Sequence, residues 1–236
     1  AGNFSGIGNN RANVITGGAG DATAGGGTDA AGVGVGALID GAGNDIYIVR
    51  NAGDVVTEAA GGGTDTVRTA LGTFTLAANV ENLTYTGAAA FTGTGNDLSN
   101  VITGGAGADT LTDGAGGVDT LIGGAGNDTY NVSNVGDIIV EAAGGGTDTV
   151  RTTLNSYLLD ANVENLTFTG AGNFAGTGNS LVNTITGGAG ADTLDGGVNA
   201  AGGDTLVGGT GDDTYIIRNA GDAVTEAAGA GTDTEL

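Results

Sequence analysis

Residues 95–151 read GNDLSNVIT, GGAGADTLT, DGAGGVDTLI, GGAGNDTYN, VSNVGDIIV and, after two inserted residues, AGGGTDTVR. Most of these six successive frames begin with glycines, and all carry an acid or amide at the sixth position with an apolar residue two places later. Glycine-rich turns between short Thr-, Val- and Ile-containing segments are typical of strands, and no apolar residue recurs at the three- and four-residue spacing of a helix. The stretch therefore predicts strands and turns throughout.

A second, longer period contains the first. AGNFSGIGNNRANVITGGAG at residue 1 recurs as AAAFTGTGNDLSNVITGGAG at residue 88 and as AGNFAGTGNSLVNTITGGAG at residue 171. Internal repeats of this kind are typical of solenoids, in which each unit packs only on its neighbours. We predict one continuous solenoid of three units, and we expect the sequence to be a piece of a longer array. The units are 1–87, with a degenerate stretch at 17–39, then 88–170, then a truncated 171–236.

The short period also predicts how the chain winds. A strand and a turn every nine residues give a coil with two strands per turn, about 18 residues long. Frames two apart then stack on the same edge and place their sixth residues in columns. The expected columns are Asp109, Asp128 and Asp148 on one edge, and Asn100, Asp119 and Asp137 on the other. The large apolar side chains should point inward as the core: Tyr47, Leu111, Leu121, Tyr130, Leu194, Leu206 and Tyr215.

The columns of acids predict a bound cation. Carboxylates stacked about 4.8 Å apart repel one another strongly unless positive charge lies between them. Calcium accepts six to eight hard oxygen ligands, whereas magnesium requires tight octahedral geometry and keeps its waters. A Gly-x-Gly-x-Asp turn can supply such ligands, because glycine permits a left-handed backbone that turns carbonyls toward one point and the aspartate adds charge. We therefore predict several calcium ions, about ten, each shared by stacked turns.

The predicted metal ligands are the sixth-position aspartates together with the glycines of the best-formed turns. The aspartates are Asp45, Asp54, Asp65, Asp109, Asp119, Asp128, Asp137, Asp148, Asp192, Asp204, Asp213, Asp222 and Asp233. The glycines are Gly41, Gly43, Gly105, Gly107, Gly124, Gly126, Gly188, Gly190, Gly209 and Gly211. Fewer sites are expected in 17–39, where Ala22 stands in place of an acid, and 69–83 and 152–166 have no Gly-x-Asp turn.

Four frames carry a resemblance to a known family. GGAGADTLT, GGAGNDTYN, GGAGADTLD and GGTGDDTYI match the Gly-Gly-x-Gly-x-Asp-x-apolar-x nonapeptide of RTX (repeats-in-toxin) proteins, a pattern of calcium-binding parallel β-helices. The chain thus resembles an RTX β-roll. The resemblance implies bacterial secretion in the unfolded state, followed by folding outside the cell where calcium is abundant.

The composition excludes several classes of function. The chain has no histidine or cysteine, its five basic residues are all arginines, and its net charge is −22. Histidine bases, thiol nucleophiles, disulfides and Cys/His zinc sites are therefore excluded, and a basic surface for nucleic acid is absent. No apolar run reaches the length of a membrane span. We predict a protein that is not an enzyme.

Two groups of polar residues have roles that the sequence leaves open. Glu58, Glu141 and Glu226 each follow a strand and precede glycines, so each either adds a calcium ligand or pairs with Arg68, Arg151 or Arg218. Asparagines in the two ANVENL segments are expected to cap turns or form side-chain ladders, with sugar binding as the alternative. They are Asn79, Asn82, Asn162 and Asn165.

The predicted function is a calcium-loaded structural segment of a secreted bacterial surface-layer, adhesin, filament or matrix protein. Its location is extracellular, at the cell surface. Calcium is the predicted partner, with self-association or a cell-surface glycan as further candidates, and neither nucleic acid nor a membrane span is expected. The alternatives are a folding and export module of a secreted lipase, protease or alginate epimerase, and a glycan-binding module.

Overall fold

The chain folds as a parallel β-solenoid with two strands in each turn. The computed structural model describes residues 2–9, 11–27, 36–199 and 202–236. These residues form 25 strands, numbered β1 to β25 along the chain, and every strand pairing is parallel. The predicted all-β fold is therefore confirmed. Within the described residues, no helix is long and apolar enough to cross a membrane.

The odd-numbered strands make one face of the coil. They are β1 (Phe4–Ile7), β3 (Ala22–Gly25), β5 (Ile46–Val49), β7 (Thr66–Thr69), β9 (Asn82–Tyr85), β11 (Val101–Gly105), β13 (Thr120–Gly124), β15 (Ile138–Val140), β17 (Ser156–Leu158), β19 (Ala175–Thr177), β21 (Thr193–Asp195), β23 (Thr214–Ile216) and β25 (Thr234–Glu235).

The even-numbered strands make the other face. They are β2 (Asn13–Thr16), β4 (Gly36–Ile39), β6 (Val55–Thr57), β8 (Thr73–Thr75), β10 (Thr92–Thr94), β12 (Thr110–Thr112), β14 (Thr129–Val132), β16 (Thr149–Thr152), β18 (Asn165–Phe168), β20 (Thr184–Gly188), β22 (Thr205–Gly209) and β24 (Ala223–Thr225).

Each face is interrupted once. The odd face forms sheets β1–β15 and β17–β25, and the even face forms sheets β2–β6 and β8–β24. The two breaks fall before β8 and β17, which lie in the segments that lack a Gly-x-Asp turn. Elsewhere the register keeps one turn near 18 residues; for example, Thr92 pairs with Thr110, and Thr110 with Thr129.

One large side chain from each strand fills the core. On the odd face Leu83, Ile102 and Leu121 are in register, and on the even face Leu111, Tyr130 and Val150 are. Every one of these side chains has no exposed surface, so a single apolar column from each face excludes water from the axis. The core residues expected from the sequence are all fully buried: Tyr47, Leu111, Leu121, Tyr130, Leu194, Leu206 and Tyr215.

The 83-residue spacing between equivalent residues has a consequence for the faces. Equivalent strands differ by nine in number, as β7 and β16 do, and nine is odd. Arg68 in β7 therefore lies on the odd face, whereas its equivalent Arg151 in β16 lies on the even face. Successive units thus present the same residues on opposite faces of the coil.

The degenerate stretch at 17–39 still lets its flanking turns stack. The Gly17 amide donates to the Ile39 carbonyl at 2.9 Å, and the Ala42 amide donates to the Gly18 carbonyl at 3.2 Å. Residues 28–35, where the sequence shows no repeat pattern, lie outside the described residues. The coil therefore continues through a place where the nonapeptide pattern is lost.

Candidate metal centre

The sixth-position acids form a column along each edge of the coil, joined by hydrogen bonds to the backbone. The Asp109 amide donates to Oδ1 of Asp128 at 2.7 Å, and the Asp128 amide donates to Oδ1 of Asp148 at 2.8 Å. On the other edge, the amides of Asn100 and Asp119 donate to Asp119 and Asp137 in the same way. Each acid therefore binds the turn before it, a role that the sequence did not indicate.

Every predicted aspartate lies in one of these two edges. Turns leading from an even to an odd strand carry Asp45, Asp65, Asp119, Asp137, Asp192, Asp213 and Asp233. Turns leading from an odd to an even strand carry Asp54, Asp109, Asp128, Asp148, Asp204 and Asp222. Their roles as calcium ligands remain predictions.

The second carboxylate oxygen divides these residues into two groups. Both oxygens of Asp109 and of Asp192 accept backbone amides, and so do both oxygens of Asp54. Asp222 is likewise bound through both oxygens. In contrast, the buried Oδ2 atoms of a second group have no hydrogen-bond partner: Asp45, Asp65, Asp119, Asp128, Asp137, Asp148 and Asp213. Buried polar atoms are nearly always paired, so unpaired anionic oxygens indicate a place for a cation.

Three equivalent clusters bring such oxygens together. The clusters are Asp45–Glu58–Asp65, Asp128–Glu141–Asp148 and Asp213–Glu226–Asp233, and in each the three ligand atoms lie within 4.8 Å of one another. At that separation each pair of charges repels by more than about 3 kcal/mol at an effective dielectric constant of about 20. Hard oxygen donors so close together suit calcium, so the residues present fit the expected ion.

A tyrosine hydroxyl binds the glutamate of every cluster. Tyr47 donates to Glu58, Tyr130 to Glu141 and Tyr215 to Glu226. Pairing of these glutamates with arginine, one alternative from the sequence, is not what the structure shows. Within the described residues, the ion pair that forms joins Arg218 to Asp195 at 2.6 Å.

The predicted glycines serve the turns in two ways. Gly43, Gly124, Gly126, Gly209 and Gly211 adopt the left-handed backbone, with φ between 109° and 126°. The other five, Gly41, Gly105, Gly107, Gly188 and Gly190, do not. At Gly107 a Cβ would collide with the backbone of Ala89, so glycine is required there for the close approach of stacked turns rather than for its φ.

The ANVENL segments contribute residues that sequence reasoning missed. Glu81 accepts the Asp65 amide at 2.7 Å, and Glu164 accepts the Asp148 amide at 2.8 Å, so each continues a column of aspartates. Asn79 has φ 66° and donates its side-chain amide to the Glu58 carbonyl at 2.9 Å. Such contacts belong to a turn cap, as one of the two expectations for these asparagines states.

The clustered carboxyls hold protons more tightly than ordinary acids do. Burial is the largest cause, and the charges of neighbouring carboxylates add to it; together they raise the pKa of Asp65, Asp119, Asp128 and Asp137 to about 6. The pKa of Glu141 rises to about 7, again mainly through burial. These values are for the metal-free protein.

We expect the metal-free chain to be more stable in mild acid than at neutral pH. Because the folded pKa values exceed the unfolded values near 4, folding takes up protons; the stability is present at pH 4 and is lost as the pH rises through about 6 to 7. Thermal melts in metal-depleted buffer at pH 5 and pH 8 measure this. A melting temperature at pH 8 equal to or above that at pH 5 would contradict the expectation.

Comparisons with known proteins agree with this geometry. The family model of the RTX calcium-binding nonapeptide repeat matches residues 94–130, 114–139 and 199–214. Over 74 residues, 31% of this chain, the sequence is 45% identical to the endo-1,3-1,4-beta-glycanase ExsH of Rhizobium meliloti (strain 1021). That match covers 16% of the length of the glycanase. The similarity is thus confined to a short part of a much longer relative.

Proposed function

We propose that this chain, which belongs to the RTX family of calcium-binding repeat proteins, is a non-catalytic structural segment of a secreted bacterial surface-layer, adhesin, filament or matrix protein. It folds on calcium outside the cell and forms a rod of about 12 turns, roughly 58 Å long at about 4.8 Å per turn. RTX repeats bind calcium and occur in secreted bacterial proteins. The proposal places the function in the architecture of the rod itself.

The observation that carries the proposal is the set of unpaired buried oxygens in the aspartate columns. They recur on both edges and in every unit, from Asp45 in the first to Asp213 in the third. A lone enzymatic site would use one such cluster, whereas a structural role needs the ion at each level of the stack. Their distribution along the coil therefore favours calcium as a building material.

We expect the folded chain to bind about ten calcium ions, which would contribute about +20 against its formal charge of −22. Equilibrium dialysis against calcium, with a magnesium background to exclude weak surface binding, gives the count. The surface charge should then be nearly neutral, which electrophoretic mobility measures. One or two ions per chain, or displacement by equimolar magnesium, would refute a role for calcium along the whole coil.

A second candidate function has the glycanase similarity in its favour. The endo-1,3-1,4-beta-glycanase of Rhizobium meliloti shares a related segment, so this chain is alternatively the folding and export module of a secreted enzyme. The flanking gene sequence separates the two candidates. Further units of about 83 residues support a structural array, whereas a histidine-bearing globular domain supports an enzyme. Binding of the calcium-loaded rod to bacterial polysaccharides would instead favour a glycan-binding module.

A further inference from the structure

We propose that Glu58, Glu141 and Glu226 each complete a second kind of metal site, in which two stacked aspartates and one glutamate bind a single calcium ion through their side chains. The glutamate lies outside the nonapeptide, 13 residues after the first aspartate of its cluster in every unit. The site rests on the proposed function, since it takes the same ion. It differs from the nonapeptide turn because a third carboxylate supplies a ligand.

The central cluster shows why this site requires a cation. Asp128 and Asp148 are each 1% exposed, and each has its Oδ1 bound to a backbone amide of the preceding turn. The Oδ2 of each has no partner in the protein. Glu141, which is also buried, brings a further oxygen within 4.8 Å of the other two ligand atoms. Three carboxylates so enclosed need either protons or a cation.

The tyrosine acts as a positioning residue for the glutamate. Tyr130 is fully buried, and its hydroxyl donates to Oε1 of Glu141, while the Ala142 amide donates to Oε2 at 3.1 Å. Tyr47 and the Ala59 amide hold Glu58 in the same manner. A ligand whose orientation is fixed by outer hydrogen bonds loses less freedom when the ion binds.

A glycine keeps the space beside the carboxylates open. A Cβ on Gly123 would collide with the Tyr130 hydroxyl, Oδ2 of Asp128 and Oε1 of Glu141. Gly208 has the same relation to the third cluster, through Tyr215, Asp213 and Glu226. The cavity is therefore retained in two successive units by a residue that has no side chain to fill it.

The first unit differs at this position in an informative way. Asp40 stands where the later units have Gly123 and Gly208, and its own Oδ2 is buried without a partner. Besides burial, the charge of Asp45 raises the pKa of Asp40, so the two carboxylates lie within electrostatic reach of each other. The first cluster thus has a fourth carboxylate nearby, and we expect it to bind its ion most tightly.

The three sites are spaced regularly along the coil. Because equivalent strands differ by nine, the sites follow one another every four and a half turns, about 22 Å apart at about 4.8 Å per turn. The first and third clusters lie on the edge where even strands lead to odd ones, and the second lies on the opposite edge. One such site per unit therefore braces alternate edges.

Terbium, which replaces calcium at hard oxygen sites and is excited by nearby tyrosine, provides the test. The chain has five tyrosines and no tryptophan, and three of the tyrosines contact the glutamates of the clusters. Glu141→Gln should lower the tyrosine-sensitised terbium emission by about one third, because one of three sites is lost, and should lower the calcium count by one. Tyr130→Phe should lower the emission by a similar amount.

Tyr85→Phe is the matched control. Tyr85 stacks on Phe91 at 4.5 Å, and its equivalent in the second unit is already a phenylalanine, Phe168, which stacks on Phe174 at 4.7 Å. The control should fold and keep its full emission. If Glu141→Gln fails to regain β structure in calcium, Glu226→Gln in the more exposed third cluster provides the same comparison.

The outcomes separate this inference from the proposed function. A wild-type chain that binds neither calcium nor terbium overturns both. A chain that binds calcium but keeps its emission and calcium count in Glu141→Gln and Glu226→Gln overturns this inference alone, and leaves those glutamates as acceptors for tyrosine. Loss of one ion in either folded variant supports the glutamate as a ligand.

Discussion

Exhaustive removal of calcium is expected to convert this solenoid into a largely unfolded chain at neutral pH. The chain has 27 acids against five arginines, and many of its acids stack in buried columns. In the described residues a single ion pair, between Arg218 and Asp195, offsets any of that charge. Without bound cations the columns must either take up protons or separate, and at pH 7 to 8 separation costs less. Folding and calcium binding should therefore be one coupled reaction.

Far-UV circular dichroism measures this result. The chain should show a disordered spectrum in chelator and a β spectrum once calcium reaches the millimolar range that is typical of extracellular modules. Magnesium at the same concentration is the control, and it should not restore the β signal, because it requires octahedral geometry and retains its waters. A β signal that survives exhaustive chelation at pH 8 would show that the columns are stable without metal.

The fold could be predicted from the sequence because one period controls three properties at once. Position eight of each frame supplies the core, as Leu111 and Tyr130 do, position six supplies the column, and the glycines supply the turns. Two strands per turn follow from a nine-residue frame and a turn of about 18 residues. A helix or an antiparallel meander would have placed those residues on different sides, so the alternatives were few.

The hydrogen bonds and the clusters could not be predicted, because they depend on contacts between turns. Nothing in a single frame indicates that Asp128 receives the amide of Asp109, or that Glu141 lies beside Asp148. Glu81 and Glu164 were missed for a related reason. They occur in the shortest turns, in which Thr66 pairs with Asn82 and Thr149 with Asn165, and there the nine-residue frame is lost.

The alternating faces show how a property of the whole array can be hidden in the sequence. An 83-residue unit is regular as text, yet its nine strands bring Arg68 and Arg151 to opposite faces. Only two units together, with 18 strands, restore the starting orientation. A surface of this rod that binds a partner would therefore recur every second unit on one face, which sets the spacing of any lateral assembly.

Replacing Asp128 with alanine is expected to have the largest effect of any single substitution in the columns. Asp128 accepts the Asp109 amide through Oδ1, and its unpaired Oδ2 belongs to the cluster with Glu141 and Asp148. The substitution leaves a buried amide without a partner, which costs about 1–3 kcal/mol, and it also removes a ligand from the ion. Isothermal titration calorimetry should show one calcium ion fewer and a higher calcium concentration at the folding midpoint.

Two further variants separate these causes. Asp128→Asn keeps an oxygen that can accept the Asp109 amide but removes the charge, so it should recover part of the stability at acid pH without recovering the lost ion. Asp97→Ala removes one exposed acid outside the columns and should change neither the stoichiometry nor the midpoint. If Asp128→Ala binds as many ions as the wild type, with the same midpoint, the columns are a hydrogen-bonding device and the calcium ligands lie elsewhere. The double variant Asp128→Asn with Glu141→Gln then distinguishes a shared ion from two independent ones. At one shared ion the second substitution removes no further calcium, because both carboxylates bind the same cation.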